Sequence, residues 1–213
     1  MAKASNDRNS NALKAKECLL EYGLLLLQDQ RFPSLVGIVV GEPVSGSWWG
    51  HPKGSEIFKI ASEWDDDADI VTCKLVSGKV TFVHRKLWAH LVAIGKSEEA
   101  WQTDSLSEEA NSMFAYLKEH KSAETNALPQ SLLQSLLKPG KACDELEKRL
   151  LVCAQEFHTE SGAHAKRVMT WTAFEKSKQI DSKVNLSDAK RDFEKLLADI
   201  NKSAGSKAKL PWK

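Results

Sequence analysis

Leu13, Leu19, Leu20, Leu24 and Leu27 recur at helical intervals with Lys14, Lys16 and Glu17 between them, which predicts an amphipathic helix over about Ala12 to Gln30. Arg31-Phe32-Pro33 ends it, because the residue before proline avoids the helical region. Ser34 to Val40, SLVGIVV, reads as a buried strand or the start of an irregular buried segment. Gly41, Pro43, Gly46 and Gly50 then break the chain around Trp48 and Trp49. Adjacent side chains on an extended chain point opposite ways, so one tryptophan can plug a core while the other faces solvent or a partner. Ile57, Phe58, Ile60, Ala61 and Trp64 predict a helix that starts near Pro52. It stops at Asp65-Asp66-Asp67, acidic residues at the unfavourable end of a helix dipole.

Ile70–Val76 and Lys79–His84 flank Ser77-Gly78, a two-residue hairpin turn. An unbroken register would pair Leu75 with Val80, Cys73 with Phe82 and Val71 with His84, and put those six on one buried face. The other face would carry Thr72, Lys74, Val76, Lys79, Thr81 and Val83, and would be basic near the tip. Leu87, Trp88, Leu91, Val92 and Ile94 continue as a helix. Ser105 or Ser107 can cap the next one, with Met113, Phe114 and Leu117 inward. Residues 121–128 read as loop and 128–137 as a short helix ended by Pro139-Gly140. Asp144 to Phe157 reads as one amphipathic helix, interrupted by His158-Thr159-Glu160-Ser161-Gly162 and followed by another from Ala163 to about Lys178. The last helix spans about Ser187 to Lys202. The tail SAGSKAKLPWK reads as basic and flexible, with Leu210-Pro211-Trp212 able to dock. No repeat of fixed period is visible.

These elements describe a mainly α protein with a small β-hairpin (α+β), built of winged-helix-like modules with room for two in tandem. Residues 9–100 would form the first, with the hairpin. Residues 101–213 would form a helical module able to hold a second helix-turn-helix-like unit, with helices near 107–120, 129–137 and 142–157.

The 213 residues can bury a real core, and a hydrophobic share of 42% with 28% charged is ordinary for a globular chain. A net charge of +1 means that any contact with nucleic acid rests on a local patch. No apolar run approaches a membrane span and no signal peptide is evident, so the expected compartment is the cytoplasm, without a membrane partner. Cys18, Cys73, Cys143 and Cys153 form no CxxC pair and read as free, mostly buried thiols.

In a winged helix, one helix enters the major groove and the hairpin touches phosphates. The candidate phosphate contacts are Lys74, Lys79, Arg85 and Lys86, with Lys53 and Lys59 on the neighbouring helix. Trp48, Trp49, His51 and His84 are candidates to stack on or wedge a base. The same residues equally suit solubilising charges and core closure. HTESGAH is the densest reactive cluster: Glu160 with His158 or His164 could form an acid/base pair. A helix junction capped by Thr159 or Ser161 explains it as well. No zinc spacing is present, and no metal or cofactor is implied.

The strings SWW, HPKG and GKVTFVHR, with HTESGAHA later, resemble an uncharacterised bacterial family, and that resemblance implies a shared fold over most of the chain. LSEEANSMFAYLKEH resembles the first helix of many winged-helix repressors. A more distant likeness is to DNA-repair glycosylases built from tandem winged helices, from which no catalytic residue carries over. Three functions follow as expectations. The first is a winged-helix DNA-binding protein, regulatory in role. The second is a nucleic-acid-processing or base-repair enzyme with a cleft between the SWWGH loop and the HTESG break. The third is a non-catalytic interaction scaffold.

Overall fold

The computed structural model describes residues 2–159, 162–181 and 183–213, and their side chains except those of 2–9, 158 and 164. The chain starts with helix α1 (Ala2–Tyr22), which ends at Gly23. Gly23 has φ +80, and a Cβ there would collide with Lys86 and Leu87, so the sharp exit requires glycine. The chain then enters a three-residue strand, β1 (Leu24–Leu26), where the leucine periodicity had predicted continued helix. SLVGIVV is not a strand but a short helix, α2 (Leu35–Val40), capped by Ser34 and closed by Gly41 at φ +90. Trp48–Gly50 forms a 3₁₀ turn, and α3 (Gly54–Asp65) ends at the aspartate cluster as expected. The hairpin follows as β2 (Ile70–Val76) and β3 (Lys79–His84). The first sheet is antiparallel with strand order β1-β3-β2.

After α4 (Trp88–Gly95) and α5 (Ala100–Thr103), the same succession recurs. Helix α6 (Glu108–His120), capped by Ser107, leads to strand β4 (Ser122–Glu124). Helices α7 (Gln130–Leu133) and α8 (Pro139–Lys148) precede a hairpin, β5 (Val152–His158) and β6 (His164–Thr170). The second sheet has the order β4-β6-β5, which matches the first. Each half therefore reads helix, strand, helix, helix, hairpin, a repeat of topology without a repeat of sequence. Helices α9 (Trp171–Ser177) and α10 (Leu186–Ala204) complete the chain.

Two further expectations are corrected. Residues 144–157 and 163–178 do not form two continuous helices: α8 stops at Lys148, Leu150 takes φ +51, and the chain turns into β5. His158 therefore ends a hairpin strand and lies at no helix junction, while Glu160 and Ser161 of the HTESG break lie outside the described residues. The first hairpin is also not in unbroken register. Val76 pairs with Lys79, but Cys73 pairs with Thr81, Thr72 with Phe82 and Ile70 with His84. A β-bulge absorbs the extra residue. Thr81 anchors it, accepting from the Val76 N–H and donating to the Lys79 carbonyl.

The bulge redistributes the faces, so both sides of the first sheet are covered. Phe82 and Ile70 pack with Leu19, Ile57 and Trp64 on the side of α1 and α3. Val71, Cys73 and Val83 pack on the other side with Trp88, Leu91, Phe174 and Phe193. A separate core of Met113, Leu117, Leu146 and Val168 holds the second half together. The tail is docked: Leu210 is buried, and Trp212 donates to Glu194. The four cysteines are free. Burial pushes the Cys143 thiol up to about 11 and Cys73 to about 12, which leaves them protonated and inert.

Candidate functional site

β2 and β5 are edge strands of their sheets and run next to each other at the seam between the halves. Gln155 ties the seam by donating to the Asp65 carbonyl at 2.8 Å. Beside this seam lies a cleft of about 180 Å³. One wall comes from the SWW turn and α3, where Trp48 and Trp49 stack at 4.3 Å and Phe58 lies 5.5 Å from Trp49. The opposite wall is the second hairpin, with Ala154, Glu156, Phe157 and Lys166. Thr72, Lys74 and Glu147 lie between the two walls.

Local sequence explains how the aromatic wall is held. Ser47 caps the 3₁₀ turn by accepting from the Trp49 N–H. Gly54 lets α3 start against that turn: a Cβ would stand 3.0 Å from the Trp49 carbonyl oxygen. Lys53 reaches back to the Val39 carbonyl at 2.6 Å and satisfies the end of α2.

The polar groups of the cleft form a charge network. Glu147 is 4% exposed and meets Lys166 at 2.5 Å and Lys74 at 3.9 Å. Lys74 also pairs with Asp144. The two lysines respond differently to the same carboxylate. Burial disfavours the charge on Lys166, but the charge and hydrogen bond of Glu147, joined by Glu156, together hold the ammonium above the usual lysine range. Burial dominates at the more distant Lys74, and Lys166 and Lys148 add to the lowering. Asp65 accepts from the Thr72 hydroxyl at 2.8 Å. Burial, reinforced by Glu156 and Asp66, pushes its carboxyl up to about 6 against the hydrogen bond's opposing pull.

The structure brings together some of the residues singled out in the sequence. Trp48, Trp49 and Lys74 share the cleft. His51 turns inward on its own loop, where its Nδ1 accepts from the Lys53 N–H. Lys79 stands at the hairpin tip and pairs with Asp29 at 2.6 Å. His84, Arg85 and Lys86 occupy the opposite end of β3. His84 caps the following turn, Arg85 pairs with Asp69 at 3.0 Å, and Lys86 caps α1 through the Leu20 and Glu21 carbonyls. The cations thus fall into two groups separated by the length of β3. His158 and His164 are backbone partners on the last rung of the second hairpin, and Glu160 lies outside the described residues. Thr159 closes the hairpin end by donating its N–H to the Ala163 carbonyl.

Sequence reasoning passed over Asp65 as a site residue, and it missed Thr72, Glu147, Glu156 and Lys166. Asp65 was visible only as a helix stop, and nothing in the DDD run separates it from its neighbours. Lys166 was assigned to a helix, where its relation to Glu147 could not be read. Among the described residues, no group of three or more His, Cys, Asp or Glu is placed to hold a metal ion. No described helix is long and apolar enough to cross a membrane.

Fold and site define an α+β protein of two topologically matched halves, with an aromatic and charged cleft at their seam. A family model described as AlkZ related matches residues 10–209, and the chain belongs to the AlkZ-related family. No curated protein and no solved structure matches it.

Proposed function

We propose that the protein binds DNA through two winged-helix modules and receives an unstacked base in the cleft, in a base-repair or related nucleic-acid-processing role. The observation that carries this reading is the meeting of the SWW turn and the second hairpin across one cleft. The twofold order helix, strand, helix, helix, hairpin, with the first strand beside the third, supports the winged-helix assignment. Membership of the AlkZ-related family agrees with the likeness to tandem winged-helix glycosylases noted in the sequence.

In this reading Trp49 is the stacking platform, because the residue is 60% exposed while Trp48 supports its ring from below. Lys74 and Lys166 donate to the polar edge of the base. Burial raises the Asp65 carboxyl to about 6, so a protonated fraction persists toward neutral pH and can pass its proton to a departing base nitrogen. Water's oxygen bonds to the sugar C1′, the C1′–N bond breaks with its electrons leaving on the base, and the proton lost by water restores Asp65. His158 and His164, backbone partners on the last rung of the second hairpin, are further candidates for the proton transfer, as is Glu160 from the sequence alone. A regulatory duplex reader has less support, since Arg85 and Lys86 stand at the opposite end of β3 from Lys79 and form no continuous surface with it.

An equilibrium titration tests the proposal, with one duplex fully matched and another carrying a single extrahelical base. The expected result is about tenfold tighter binding of the second, the worth of one stacked base. Equal affinity for the two, or no binding, would overturn it.

A further inference from the structure

At Lys74 the aromatic cleft adjoins a wider hollow of about 590 Å³ over the first hairpin, and the two share Leu27, Trp48, Lys74 and Val80. That hollow runs on into a third, of about 310 Å³, with which it shares Asp29, Gln30 and Lys79. The three form one trough, from the stacked tryptophans across the hairpin tip to the C-terminal tail.

The tail is built into this surface. Ser77, at the hairpin turn, donates its N–H to the Lys209 carbonyl at 2.8 Å, and the Lys209 N–H donates back to the Ser77 hydroxyl at 3.0 Å. Arg31 donates to the Gly205 carbonyl at 3.3 Å. Lys207 is thereby set beside Arg31 and Lys79.

Lys74, Lys148, Lys79, Arg31 and Lys207 line the two outer hollows, against only Asp29 and Asp144. Asp144 pairs with both Lys74 and Lys148, and Asp29 holds Lys79. The carboxylates orient three of the lysines and leave these two outer hollows net positive, while Asp65, Glu147 and Glu156 line the base cleft itself. A line of positive charge that ends at a stacking platform suits a chain of phosphates whose bases stand off it. An acidic peptide of Asp and Glu alone would meet the same charges but carries no flat ring to place on the tryptophan face.

Resting on the reading that the cleft takes a base, we infer that the trough carries the sugar–phosphate backbone of the strand supplying that base. The strand leaves the cleft past Lys74 and Lys148, crosses the tip at Lys79 and ends at Arg31 and Lys207.

Fluorescence anisotropy with a labelled single-stranded oligonucleotide over a salt series tests this, with the full chain and its Lys148→Ala, Lys207→Ala and Trp49→Ala variants. Each lysine variant is expected to flatten the slope of log K against log salt by about 0.7, the value for one lost single-strand phosphate contact. Trp49→Ala is expected to weaken binding with the slope unchanged. If the wild type binds with a salt-dependent slope and both lysine variants match it, the trough is wrong and the cleft reading stands. If the wild type binds neither this strand nor the duplex with the extrahelical base, both fall. Displacement of the strand by polyglutamate as readily as by unlabelled oligonucleotide would overturn the choice of occupant.

Discussion

Trp48 and Trp49 are neighbours in the chain and stack with 20° between their planes, yet Trp48 is 7% exposed and Trp49 60%. The 3₁₀ turn that holds them replaces the opposed directions of an extended dipeptide with a layered pair. One ring completes the core of Leu19, Ile57 and Phe82, and the other is presented to the cleft. Trp48→Ala should cost about 3–4 kcal/mol in urea unfolding, as expected for an emptied aromatic site. Trp49→Ala should change stability by less than about 1 kcal/mol while weakening nucleic-acid binding.

Glu147 is the hinge of the charge network because two half-buried lysines lean on one carboxylate. Glu147→Gln removes the negative charge and leaves Lys74 with Asp144 and Lys166 with the more exposed Glu156 at 3.7 Å. Chemical denaturation should show a loss of about 1–2 kcal/mol, less than the cost of fully orphaning a buried charge. Replacing the exposed pair Lys59–Glu63, 3.7 Å apart, should show almost none.

Asp65 gives a pH signature of a definite sign. Its carboxyl titrates at about 6 in the folded chain against 3.8 for an ordinary aspartate, so ionisation costs more folded than unfolded. That penalty is absent below pH 3.8, grows as the pH rises to about 6 and is complete above it. Asp65→Asn removes it and keeps an acceptor for the Thr72 hydroxyl. The variant should therefore be more stable than wild type at pH 7 by about 1–2 kcal/mol, after allowing for partial exposure. Thermal melts across pH should show the gap closing in acid.

Gly95 lies flush against the buried indole of Trp171, well inside the contact distance of any added Cβ. The neighbour cannot yield, since Trp171 is 1% exposed and packs edge-on against Phe174. Gly95→Ala should lower stability by about 2–3 kcal/mol, the cost of overpacking, despite alanine's better helix propensity.

These contacts mark where the sequence could be read and where it could not. The helix expected near Pro52, which starts at Gly54, its stop at the aspartates, the Ser77-Gly78 turn and a serine cap on α6, made by Ser107 of the two offered, all follow from local chemistry. β1 was lost because Leu24–Leu26 continues a leucine stripe, although Gly23 at φ +80 marks the break. The bulge beside Lys74 was invisible because only a buried Thr81 in an apolar strand hints at it. The second hairpin was read as helix because Leu150 through Ala154 is an unbroken apolar run. The turn at Leu150 is made by a residue whose positive φ no sequence rule anticipates. The cleft was half legible. Its tryptophans stand out in a breaker-rich loop, but Asp65, Glu147 and Lys166 become a site only when two distant hairpins meet.

The central claim is that Trp49 stacks on a base held in the cleft, and fluorescence of an extrahelical 2-aminopurine in a duplex reads that stacking directly. Binding of the wild type should quench the extrahelical base, and Trp49→Ala should restore its brightness at saturating protein. A base that stays bright on the wild type, or is quenched equally by the variant, would contradict the account.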